Sequence, residues 1–158
     1  MTVLWRSVTD TPDRSTTRSN LSEMFVELAV SAQQLIWFAQ QAEIDGLPDL
    51  AAALRAKAVA DSGHAQAILD ALAELDPEAG SDAMAHRVRS LNRIDGLVTA
   101  EVLVDAVVPA ASAVVERLDA LAALARDDGL DLVADSLAAI TASQRRHLDA
   151  IDQASGAR

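Results

Sequence analysis

AEIDGLPDLAAALRAKAVADSGH, residues 42–64, and ARDDGLDLVADSLAAITASQRRH, residues 125–147, align without a gap at an offset of 83 residues. Ala42 falls on Ala125, Asp45-Gly46-Leu47 on Asp128-Gly129-Leu130, Leu54 on Leu137, Ala56 on Ala139 and His64 on His147. An alanine-rich chain supplies matched alanines by chance. It does not readily supply a shared Asp-Gly-Leu turn with a histidine in register behind it. The alignment predicts two related helix hairpins, each turning where glycine takes the left-handed conformation that ends a helix.

Working outward, helix 1 is expected from near Asn20, where Asn20 and Glu23 have capping-box spacing. Leu21, Met24/Phe25, Leu28, Ser31/Ala32, Leu35, Phe38 and Ala42 then recur at helical period. Pro48 suits the first turn of helix 2. Leu50, Leu54, Ala58, Asp61, His64/Ala65, Ile68 and Leu72 form its inner face, and the helix closes at Asp76-Pro77. Residues 77–90 read as a long connection. Helix 3 is expected from about Leu91 to Arg126, with Pro109 kinking it or opening a new segment. Helix 4 is expected from Asp131 to Gln153. The fold class is therefore all-α, a four-helix bundle with one long crossover connection and an internal two-hairpin repeat. Residues 1–19 read as a flexible arm, 20–153 as the bundle and 154–158 as a tail.

Composition narrows the functions. The chain has 158 residues, 51% of them hydrophobic and 23% charged, which is one domain with a core. Its net charge of −11 argues against nucleic acid or anionic lipid as partner. The absence of cysteine excludes disulfides, thiolate zinc sites, iron–sulfur clusters and a cysteine nucleophile. Leu35–Ala39 and Val102–Ala113 are too short or too interrupted to span a bilayer. The N-terminus lacks the basic-then-apolar order of a signal peptide, so a cytoplasmic protein is expected. The alanine and arginine bias fits a GC-rich, bacterial genome. The apolar girdle around Trp37-Phe38 and around residues 102–108 leaves an outer surface to cover, and a homodimer is expected. His86 reads as solvated, and the Arg87-Arg89-Arg93 cluster as a salt-bridged surface rather than an anion site.

Phe25, Phe38-Ala39, Ala42-Glu43 and Gly46 resemble the first helix of rubrerythrins, in the ferritin-like superfamily. Leu47-Pro48-Asp49-Leu50-Ala51 through Leu54-Arg55, Ala58, Asp61 and His64-Ala65 resemble the second helix. Thr99-Ala100-Glu101, Leu103, Ala106 and Val107 resemble the third, and Ala125 through Gly129 to His147 the fourth. The likeness covers roughly residues 21–153. It implies a ferritin-like bundle that holds two irons between two Glu-x-x-His helices and further glutamates.

The carboxylates that such a centre needs are largely replaced. The helix 1 glutamate position reads Leu28, with Glu27 beside it, and the site-facing aromatic reads Leu35. Helix 2 reads Asp61-x-x-His64 and helix 4 reads Gln144-x-x-His147. The two helix 3 glutamates read Ala110 and Ala113. A buried carboxylate without a metal or partner is costly, so Leu and Ala are what a metal-free core would select.

Three readings follow. In the first, no cofactor is expected, and the former metal site is a pocket for a small organic molecule lined by Leu28, Leu35, Ala110, Ala113 and Gln144. Asp61, His64 and His147 would then run metal-independent acid–base chemistry in specialised metabolism. In the second, one iron or manganese ion sits on Glu27, Asp61, His64 and His147 in an oxidoreductase. Without cysteine there is no rubredoxin module, so that reading needs an external electron donor. In the third, the bundle is a non-catalytic, dimeric interaction protein. Asp61 has an alternative partner in Lys57, one turn earlier on helix 2.

Overall fold

Long runs of Ala and Leu without interior glycine clusters favour helix throughout. The computed structural model describes residues 14–75 and 100–156, and it is all-α. Among the described residues there are four helices: α1 (Ser15–Ile44), α2 (Pro48–Leu75), α3 (Ala100–Asp127) and α4 (Asp131–Gly156). Trp5, His86, the Arg87-Arg89-Arg93 cluster and the expected 77–90 connection lie outside the described residues, as does the expected start of helix 3 at Leu91.

The two Asp-Gly-Leu turns have the same geometry. Gly46 has φ +76 and Gly129 φ +73, the left-handed region. Leu47 N–H donates to the Ala42 carbonyl at 2.9 Å and Leu130 N–H to the Ala125 carbonyl at 2.8 Å. Gly46 and Gly129 donate to Glu43 and Arg126 in the same relation, so both helix ends close as Schellman turns.

Three boundaries differ from expectation. α1 begins at Ser15, inside the stretch read as an arm, and its N-cap Arg14 makes no side-chain cap hydrogen bond. Asn20 is therefore an exposed interior residue and the capping-box spacing goes unused. The cause is tertiary: Thr17 is fully buried and donates to Asp128 at the α3–α4 turn, which holds the extra turn in place. No new segment opens at Pro109, which lies inside α3 as one helix. α4 continues to Gly156, into the stretch read as a tail.

α1 packs on α2 and α3, and α4 packs on α2 and α3. The Thr17–Asp128 contact sets the start of α1 beside the end of α3, so these neighbours are antiparallel. The short turns make α1–α2 and α3–α4 antiparallel as well. The chain thus leaves α2 at one end of the bundle and enters α3 at the other.

The core has two apolar halves. One gathers Leu21, Met24, Leu28, Ile68, Leu72, Leu118 and Leu137, among others. The other gathers Leu35, Ala39, Leu50, Leu54, Val104, Val107 and Ile151. Between them lies a polar layer from α1, α2 and α4. No helix among the described residues is long and apolar enough to cross a membrane.

Candidate functional site

The polar layer is built around the chain's one lysine. Lys57, Asp61 and Gln144 are 3%, 0% and 1% exposed, so their hydrogen bonds must be found inside the protein. Lys57 and Asp61 are one turn apart on α2, the spacing that brings two side chains together. Lys57 Nζ donates to Asp61 Oδ1 at 2.9 Å, to Asp61 Oδ2 at 2.8 Å and to Gln144 Oε1 at 2.7 Å. All three ammonium hydrogens are used. Asp61 Oδ1 also accepts from Gln144 Nε2 at 2.6 Å, and Oδ2 from Ser31 Oγ at 2.7 Å. A carboxylate that accepts four hydrogen bonds, here from three donor groups, is saturated.

Gln144 links this ion pair to the histidines. Its oxygen faces the ammonium, which fixes the amide the other way round toward His64, where Nε2 lies 3.1 Å from Nδ1. His64 Nδ1 must accept, so the imidazole proton sits on Nε2. Burial lowers the His64 pKa below 6.5, and Lys57, His147 and Arg146 add to this against the opposing pull of Asp61. Burial likewise lowers His147, helped by Lys57 and Arg146 and opposed by Asp61.

The sign of the pH dependence follows. Between 6.5 and the lower native values the unfolded chain binds more protons than the folded one, so stability falls as pH drops through that window. Urea midpoints followed from mildly alkaline to mildly acidic pH should decline on the acid side. The decline should be shallower in His64→Gln/His147→Gln. An unchanged slope in the double variant would assign it to other groups.

Beside the polar layer, α1 and α3 part to leave a cleft of about 600 Å³. Val26, Leu28, Val30, Leu35, Phe38, Val107, Ala110, Ala111 and Val114 make its walls, and Ser31, Lys57 and Asp61 its polar floor. Both the size and the mainly apolar lining are those of a small-molecule site.

The residues singled out from the sequence separate accordingly. Leu28, Leu35, Ala110 and Asp61 line the cleft; Ala113, Gln144, His64 and His147 do not. Ala113 is exposed, because the buried stripe of α3 runs through Val107, Ala111, Val114 and Leu118. Asp61, Gln144 and His64 meet directly. His147 is near enough for Lys57 and Asp61 to move its pKa. Glu27 also lines the cleft but stands apart from the polar layer, paired with Arg117 of α3. Lys57 and Ser31 belong to the layer although neither occupies a ligand position of the metal-binding pattern. The signal for Lys57 was present: it stands three residues from Leu54 and four from Asp61, on the buried face.

The arrangement does not fit a metal centre. Among the described residues no three of His, Asp and Glu gather into a group able to hold a metal ion. Asp61 has already given its lone pairs to an ammonium and two neutral donors, and a metal would have to expel the lysine. Glu27, Asp61, His64 and His147 are not assembled as a ligand set. Comparison of the chain with protein-family models, with curated proteins and with solved structures finds no match.

Proposed function

We propose that this chain is a divergent ferritin-like bundle that binds a small, largely apolar organic molecule in the α1–α3 cleft. In this reading Lys57 supplies the positive charge that metal ions supply in the rubrerythrins the sequence resembles. The observation that carries it is one juxtaposition. The floor of an apolar cleft of about 600 Å³ is a buried lysine–aspartate pair with every hydrogen bond made.

This supports binding over acid–base catalysis. Asp61 is saturated, and the two histidines lie outside the cleft lining, with His64 Nδ1 already accepting from Gln144. The homodimer expected from the apolar girdle around Trp37-Phe38 and residues 102–108 would have a further apolar surface in the outer α1–α2 groove, where exposed Ile36 and Val59 lie with Phe25 and Ala29.

The test is titration with a neutral apolar fluorophore, N-phenyl-1-naphthylamine, before and after exhaustive treatment with EDTA. One probe per chain, bound equally well after chelation, is the expected result. Binding that disappears on chelation and returns with iron(II) would overturn the reading in favour of a metal-dependent site.

A further inference from the structure

The cleft offers acceptors and negative charge, and we infer that its ligand is a hydrophobic cation, an ammonium on an apolar body with the head beside Glu23 and Glu27. This rests on the cleft being a ligand site.

The argument is an account of donors. Lys57 has spent its three N–H groups on Asp61 and Gln144, and Ser31 has spent its O–H on Asp61. What the floor has left is the lone-pair side of Ser31 Oγ, which accepts and does not donate. Gln34 adds an amide that can do either. A ligand carboxylate or phosphate therefore finds no unspent N–H or O–H donor on Lys57 or Ser31, and the lysine and aspartate charges of the floor offset each other.

Charge at the other end points the same way. Glu23 and Glu27 line both the main cleft and an adjoining groove of about 290 Å³ bounded by Met24, Arg117 and Leu121. Arg117 offsets Glu27. Glu23 has no ion-pair partner among the described residues. From these carboxylates to Phe38 the cleft follows α1 for about 22 Å at 1.5 Å per residue, past Val26, Val30 and Leu35. A head that carries charge and donors belongs at the acidic end, and an apolar body belongs along the valines.

With a net charge of −11 the whole surface attracts cations, so local and global attraction have to be separated. The experiment uses the full chain with Trp5→Phe, leaving Trp37 as its one tryptophan. The Trp37 ring lies 5.7 Å from that of Phe38, which lines the cleft, and its fluorescence is the signal followed. Decylamine, decanol and decanoate carry the same chain with three heads. The amine should bind about tenfold more tightly than the alcohol, and the carboxylate more weakly than both, with the spread shrinking as salt is added. Glu23→Gln/Glu27→Gln should remove the amine's advantage. Asp70→Asn/Asp135→Asn, which takes the same charge from exposed positions elsewhere, should keep it.

Equal or better binding of decanol or decanoate would overturn the cation inference while leaving the cleft as a ligand site. Loss of the advantage in Asp70→Asn/Asp135→Asn as well would reduce it to surface attraction and overturn it too. If none of the three binds and N-phenyl-1-naphthylamine also fails, the cleft itself is no ligand site and both readings fall.

Discussion

Replacing Lys57 with methionine should destabilise this protein more than any other single change in its polar layer, by about 3–5 kcal/mol. The substitution keeps most of the side-chain volume and removes only the charge and the donors. Asp61, with no exposed surface, would then be an ionised group facing two neutral donors, Ser31 and Gln144. Gln144 Oε1 would lose its partner as well. A domain of this size has roughly 5–15 kcal/mol of total stability, so the variant would sit near the edge of folding. The pair itself is a different matter, because bringing two charges out of water costs nearly as much as their attraction returns. Lys57→Met/Asp61→Leu should therefore regain more than half of the loss. Urea denaturation of the three proteins at neutral pH makes the comparison. If Lys57→Met is neutral, the buried ion pair is not what closes the layer. If the double variant is as unstable as the single, the damage comes from Gln144 and Ser31 and not from a stranded carboxylate.

The fold was the most legible part of the sequence. Helical period, the two Asp-Gly-Leu turns and Pro48 each act within a few residues, and the helices end where those signals stand. The start of α1 was not legible. It depends on Thr17 reaching Asp128, a partner on another helix, and no local pattern encodes that contact. The site divides in the same way. Asp61, His64 and Gln144 were visible as polar residues on inward faces, and they do meet. A metal-binding motif speaks only of its ligand positions. Lys57 and Ser31 occupy no ligand position, so such a motif carries no signal for them. Ala110 and Ala113 looked equivalent as lost glutamates. Helix rotation separates them, because a step of three residues on α3 carries the chain from the cleft wall to solvent.

That separation supplies the second large expected effect. Ala110→Trp should abolish binding of N-phenyl-1-naphthylamine, weakening it at least about a hundredfold, the equivalent of about 2.7 kcal/mol. Ala110 lines the cleft and is exposed to it, so an indole there has open space to enter and apolar walls to lie against. It would occupy volume the ligand needs, and it would bury wall residues that ligand binding otherwise buries. The fold should tolerate it, since tryptophan costs only a few tenths of a kcal/mol more than alanine in a helix. The urea midpoint should hold or rise. Ala113→Trp is the matched control: the same residue on the same helix, placed on the exposed side, should leave probe affinity within about twofold, as surface changes usually do. Equilibrium titration by probe fluorescence reads both variants against the parent. If Ala110→Trp binds the probe as the parent does, the ligand does not sit between α1 and α3. If both variants lose binding together, the effect travels through α3 as a whole and the cleft is not its cause. Only a loss confined to position 110 places the ligand over the Lys57–Asp61 floor.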